Sequence, residues 1–279
     1  MLNSLTEFGL TVLALFLAPI GDDAKDSLCA KLQTEWQSIS IAEPRYLSLQ
    51  LKSTQSTKVI QDSHLIISRG PNDRALVLIE HSNGEKELLC MNHRYAFQLE
   101  KQGDSIWKLK HSENRPAPNI IAKIEEYLQS SHRQLSRDRV GAFQLLDFLD
   151  PNRCVVQDTK NNGNNGTTLQ IMTLPDKSGE YLERMRSIQL ELMPSKPYFP
   201  RKASITHRFH DGREYQVDME FGHGLDSNEN YRAEFRSHAH GLGLDDTIEV
   251  KVNELRSDGV SEAEYFLHHY DIVEPFHLR

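Results

Sequence analysis

At 279 residues, with 38% hydrophobic and 26% charged side chains, the chain can bury a proper core and is too charged for a membrane-spanning body. It carries 40 Asp and Glu against 32 Lys and Arg, a formal charge of −8. That balance excludes nucleic acid and anionic membrane surfaces as favoured partners, since both are bound largely through Lys and Arg.

The first feature in chain order is Gly9–Ile20 (GLTVLALFLAPI), apolar or small apart from Thr11 and followed at once by Gly21-Asp22-Asp23. It is too short to cross a bilayer as a helix and has the length of a signal-peptide apolar region. Residues 1–21 are therefore expected to be a leader and 22–279 one exported domain, with a sub-boundary near 114–136. Glu7, and no Lys or Arg, precedes the run, and no A-x-A cleavage site stands out. Leu28, Leu32 and Trp36 predict a helix over 22–38. Strands follow at Leu47–Leu51, His64–Ile67 and Leu76–Ile79, the last two apolar on both faces. Turns at Asn83-Gly84, Asn92-His93 and Gly103-Asp104 then separate short strands at Leu88–Met91, Tyr95–Leu99 and Ile106–Leu109.

The character changes at Asn114-Arg115-Pro116. Ile120, Ile121, Ile124, Tyr127 and Leu128 predict a helix over 118–135, and Phe143–Leu149 is a further apolar cluster. Asn161–Asn165 (NNGNN) is a solvated loop tip, and Asn165-Gly166-Thr167 fits a glycosylation triplet of the kind that arises by chance. Residues 203–221 read as a hairpin. Ala203, Ile205, His207 and Phe209 alternate with polar residues, Asp211-Gly212 turns the chain as a type I′ turn would, and Tyr215, Val217, Met219 and Phe221 alternate in return. Further strands are expected at Ile188–Leu192, Tyr231–Phe235, Ile248–Val252 and Ala263–Leu267, with another turn at Asp258-Gly259. The whole predicts a mainly β (α+β) protein: a large curved antiparallel sheet or half-barrel of about ten to twelve strands, covered by two or three helices.

Chemistry-bearing motifs are sparse. The cysteines, Cys29, Cys90 and Cys154, are too far apart for a CxxC metal or redox motif, and Cys90 within Leu88–Met91 reads as a buried small hydrophobe. GxSxG, SxxK and HExxH do not occur, and the glycine pairs at 222–224 and 241–243 lack the strand–turn–helix setting of a phosphate loop. No cofactor is implied. His238 and His240, two apart on one strand, are the metal candidates, weighed against ordinary surface histidines on a polar face beside Arg232 and Arg236. The aromatic and apolar set Tyr95, Phe97, Trp107, Tyr215, Val217, Met219, Phe221, Phe235 and Tyr265 is expected to share the sheet's inner face, either as plain core or as the lining of an apolar cleft.

A leader, an amphipathic helix, then a meander interrupted by helices: this order resembles the half-barrel fold of LolA/LolB-type lipoprotein carriers. Glu264–Pro275 is similar to the endings of uncharacterised exported bacterial proteins that close with a Tyr-Gly-Leu-Pro-Glu-Pro-like tail, with Asp271-Ile272-Val273 here in place of Gly-Leu-Pro. The resemblance implies acyl chains or a lipoprotein held on the concave face, helices 22–38 and 118–135 as its lid, and a periplasmic or envelope location. It places no functional residue on this sequence. The expected function is an exported, non-enzymatic carrier of a hydrophobic or lipidated ligand. The alternatives are a metal- or carboxylate-dependent hydrolase using the His-rich C-terminal strands and a protein–protein interaction module of the envelope.

Overall fold

The computed structural model describes residues 22–39, 44–163, 166–174, 183–196, 198–209, 211–222 and 231–278. The expected leader at 1–21 and the glycosylation triplet's Asn165 lie outside them. Helix α1 (Asp22–Gln37) precedes six strands: β1 (Tyr46–Gln55), β2 (Lys58–Gly70), β3 (Arg74–His81), β4 (Glu85–Met91), β5 (Tyr95–Gln102) and β6 (Lys108–Asn114). Helix α2 (Pro118–Leu135) follows, then a small ladder of β7 (Arg139–Val140) and β8 (Phe143–Gln144) and a 3-10 turn over Leu145–Leu149. Seven more strands are β9 (Cys154–Asn161), β10 (Thr167–Thr173), β11 (Glu183–Leu192), β12 (Pro200–Phe209), β13 (Glu214–Phe221), β14 (Glu234–Gly241) and β15 (Leu244–Arg256). A tail of 3-10 turns ends the chain, at Glu262–Tyr265, Leu267–Tyr270 and Phe276–Leu278.

The long strands form one open sheet of 13, ordered β6-β5-β4-β3-β2-β1-β15-β14-β13-β12-β11-β10-β9. Two consecutive meanders therefore meet at a central seam, where β1 pairs antiparallel with β15. The mainly β fold read from sequence is the one observed, with three corrections among its strands. β9 and β10, flanking the Asn-rich loop, had no apolar alternation strong enough to mark them. The expected strand at Ala263–Leu267 is instead a pair of 3-10 turns. The expected strand over Tyr231–Phe235 starts only at Glu234, with Tyr231 in an isolated bridge to Ser136.

Register decides which side chains share a face, because side chains alternate with a period of two. One face gathers Leu47, Leu49, Leu65, Ile67, Val77 and Leu89 with Val250, Phe235, Met219, Ile205, Leu190 and Leu169 in a continuous buried core. Leu32 and Trp36 of α1, Ile120, Ile124 and Leu135 of α2, and Leu145 and Phe148 of the 3-10 turn pack into it. This helix-covered side is the inner face. On the outer face, β3–β5 present Leu76, Leu88, Cys90, Tyr95, Phe97 and Leu99, and the tail covers them with Tyr265, Leu267 and Leu278. The apolar double-sided strands read at 76–79 are thus buried by helices on one side and by the tail on the other.

The hairpin at 203–221 has the expected register: Ala203 faces Met219, Ile205 faces Val217 and His207 faces Tyr215. Its turn is not type I′. Gly212 alone of the described turn residues has positive φ, at 83°, and its N–H reaches Phe209 O at 3.1 Å while Phe209 N–H reaches Arg213 O at 3.0 Å. This is the three-residue loop that ends in a left-handed glycine. Turns with two successive positive-φ residues occur elsewhere: Ser56 (45°) and Thr57 (72°) between β1 and β2, Asn72 (58°) and Asp73 (56°) between β2 and β3, and Leu242 (53°) and Gly243 (79°) between β14 and β15. Asp258-Gly259 is no hairpin either. There the chain leaves β15 and crosses the outer face so closely that a Cβ on Gly259 would lie 2.8 Å from Arg69 O.

Candidate functional site

The nine residues expected on one apolar face are divided between two. Val217, Met219, Phe221 and Phe235 belong to the inner-face core, and Tyr215 lies half-buried on the same side with its ring stacked 4.2 Å from His207. Tyr95, Phe97, Trp107 and Tyr265 sit in the outer cluster instead. Tyr95 OH donates to Glu274 at 2.6 Å, Tyr265 OH bonds Ser68 at 2.9 Å, and Trp107 meets Tyr270 edge-on at 5.8 Å. Asn92, fully buried, accepts from the N–H groups of Arg94 and Tyr95 and donates to Tyr265 O at 2.8 Å. These four aromatics fasten the tail to the sheet.

The open apolar space lies on the inner face, beside α2. Pro118 starts this helix in the position where its missing N–H costs nothing, and Ile120, Ile124, Ser131 and Leu135 turn toward the sheet. Along one flank a cavity of 290 Å³ is floored by Leu49, Leu51, Leu65 and Ile248 from β1, β2 and β15. Its rim is polar and mostly neutral: Ser53 and Gln61 from the sheet, Ser130, Ser131 and Gln134 from the helix, with Glu126 at one side. Tyr127 lines it half-buried. Burial chiefly, with Glu87 and Glu126 nearby, pushes its phenol up, so it stays a neutral hydroxyl. Along the opposite flank a wider trough of 1010 Å³ runs over Ala75, Met91, Ile121 and Leu128, with Arg69, Arg74 and Arg115 at its margin. Arg74 is held by Glu262 at 2.7 Å and Arg115 lies 3.9 Å from Asp73. The two grooves lie at the lower and upper limits of the size range of small-molecule sites, about 300–1,000 Å³.

A third space of 330 Å³, at the β4–β5 hairpin, is lined by Glu85, Lys86, Glu87, Glu100, Lys101 and Lys108 among others and offers no apolar floor. The histidines considered as metal candidates lie on the outer face, each on a carboxylate: His238 on Asp245 at 2.9 Å and His240 on Asp218 at 3.0 Å. Among the described residues no three His, Cys, Asp or Glu converge as a metal site. Burial raises Asp218, but hydrogen bonds from Gln216, His240 and Ser204 outweigh it and leave the carboxyl below its usual range.

One arrangement was invisible in the sequence. Across β1, β2 and β3 on the outer face, Ser48 Oγ lies 2.7 Å from His64 Nε2, and His64 Nδ1 lies 2.9 Å from Glu80. The distances suit a nucleophile, its base and an orienting carboxylate. However, Ser48 is only 5% exposed and sits mid-strand, where its backbone N–H serves the sheet rather than an oxyanion. Lys86 also holds Glu80. The relay reads as a cross-strand polar ladder, the pairwise unit by which sheets are stabilised.

No protein-family model matches the sequence, and no curated protein matches it. Among solved structures the chain is similar to a domain described as an outer membrane lipoprotein-sorting protein from Vibrio parahaemolyticus, with 12% identity, 88% of this chain and 98% of that chain covered, and a TM-score of 0.42. It is also similar to a LolA superfamily protein from Nitrosomonas europaea, with 9% identity, coverage of 86% and 98%, and a TM-score of 0.41. Structures of the LolA superfamily are thus among those to which this chain is similar.

Proposed function

We propose that the protein is a carrier that holds an acyl chain or another slender apolar group against the inner face of the sheet, beneath the flank of α2. The observation that carries this reading is the 290 Å³ cavity floored by Leu49, Leu51, Leu65 and Ile248. Such a floor gains from any methylene it covers, at about 0.8 kcal/mol each, so roughly ten methylenes would offset the cost of immobilising the ligand. The neutral hydroxyl and amide rim keeps water at the mouth without demanding a charge from the ligand. The order of elements, which resembles lipoprotein carriers, points the same way. The apolar run at 9–20 favours an exported, periplasmic or envelope protein, with 22–279 acting as one unit after removal of the leader. No helix among the described residues is long and apolar enough to cross a membrane.

Titration with a fluorescent fatty acid tests the reading. Saturable binding is expected, weakened about tenfold or more by Leu51→Trp, which places an indole in the cavity. Absence of saturable binding, together with a ligand-free mass for protein purified from cells under native conditions, would overturn it.

A further inference from the structure

At the far end of α2 the chain builds another and quite different cavity. The helix stops at Leu135, whose carbonyl accepts from Arg232 N–H at 2.8 Å. The Arg232 side chain then turns inward. It is 2% exposed, its guanidinium donates to the carbonyls of Gln134 (3.2 Å) and Arg139, and its carbon lies 3.9 Å from the centre of the Phe221 ring. Those carbonyls explain two of its five N–H groups. They do not supply a negative charge, and no carboxylate of the described residues pairs with it. Burial first, then the charge of Arg137, pulls its pKa down to about 9, and Asp138 opposes this only in part. Buried charges are ordinarily met by a counter-charge, because desolvation is otherwise uncompensated.

Beside this guanidinium lies a cavity of 150 Å³, walled by Phe199, Phe221 and Met193 and bounded by Arg137 and Arg201 as well as Arg232. Arg137 sits 5.0 Å over the Phe199 ring. Arg201 reaches Glu191 at 3.4 Å, yet its Nε is buried with no hydrogen-bond partner. A helix cap needs a single donor at the last carbonyls. It accounts neither for the convergence of three arginines on one small apolar-walled space nor for the orphaned Nε of Arg201. We propose that this cavity is a binding site for a small oxyanion, a carboxylate or phosphate bearing at most a short apolar substituent, held by Arg232 and Arg201 and closed over by Phe199 and Phe221. Guanidinium forks match the paired oxygens of such groups, and the volume equals about five waters, room for the anion and little more. The site is separate from the groove beside α2 and stands whether or not that groove carries a lipid.

Thermal unfolding of the full chain in sodium phosphate, sodium butyrate and sodium chloride at matched ionic strength tests the proposal. A saturable rise in Tm is expected with phosphate or butyrate over chloride. Whichever anion saturates identifies the group, phosphate or carboxylate, and either supports the site. In Arg201→Gln the half-saturating concentration should rise about tenfold, and in Arg137→Gln it should also rise. Arg232→Met should abolish the effect; because that variant also loses the helix cap, the other two keep the test valid if it fails to fold. No saturable rise with either anion, or an undiminished one in both Arg201→Gln and Arg137→Gln, would overturn the proposal.

Discussion

Glu80 shows how much a single side chain can depend on neighbours that no local pattern reveals. It sits on β3, accepts from His64 of β2 and is gripped by Lys86 of β4. Burial raises its carboxyl, but those hydrogen bonds win and leave it below the usual value of 4.5. A depressed folded-state pKa means the unfolded chain binds the proton more readily. The stabilisation is therefore complete above the unfolded value and is lost as pH falls through the folded one. Urea melts between pH 7 and pH 3 should show a flatter acid limb for Glu80→Gln than for the parent. An identical limb in both would mean that these two contacts contribute nothing. The residues of this network were legible one by one, as polar positions in alternating strands. Their assembly was not, since it needs the register of three strands at once.

At the level of elements, what could be read depended on how much each segment says by itself. The helix at 118–135 and the hairpin at 203–221 announce themselves through unbroken periodicity, and both were found where expected. Turn chemistry was less reliable. Gly212 and Gly84 are left-handed glycines, whereas Asp258-Gly259 only resembles a hairpin turn. Its glycine serves contact rather than curvature: the missing Cβ lets the tail lie against Arg69 O and the Ser68 hydroxyl. Gly259→Ala should accordingly cost roughly 1–3 kcal/mol, as forced overpacking usually does, and should loosen the cover over Tyr95 and Phe97. Guanidinium unfolding gives the first quantity, and hydrogen exchange of the Glu262–Tyr270 amides reports the second. The aromatic set divides between two faces for a related reason. Period-two alternation fixes the relation of side chains within a strand, but when β3–β5 are apolar on both sides it cannot say which side faces the helices.

For the molecule as a whole, the decisive fact is that neighbouring strands are nearly all sequence neighbours, with one exception at β1–β15. Each meander can form from local hairpins, while the seam must wait for residues far apart in the chain to meet, which is slow because loop closure precedes any reward. Leu49 and Val252 face each other across that seam. Val252→Ala is expected to cost about 1–3 kcal/mol as a buried large-to-small change, appearing almost wholly as faster unfolding, with the folding rate little altered. A chevron plot decides it, and a slowed folding arm would show that the seam forms early. The 290 Å³ cavity shares this origin. Leu49, Leu51 and Leu65 come from the first meander and Ile248 from the second, so the floor exists only after the halves join, and no window of sequence contains it.

The same seam has a bearing on biosynthesis. During synthesis the strand Tyr46–Gln55 emerges early, and its lengthwise partner, running to Arg256, is nearly the last part of the sheet to be made. For most of that time a long row of unpaired backbone groups, with Leu47, Leu49 and Leu51 beside it, is open to any passing strand. A nascent chain of this design therefore gains from an escort that keeps that edge occupied until the final strand arrives.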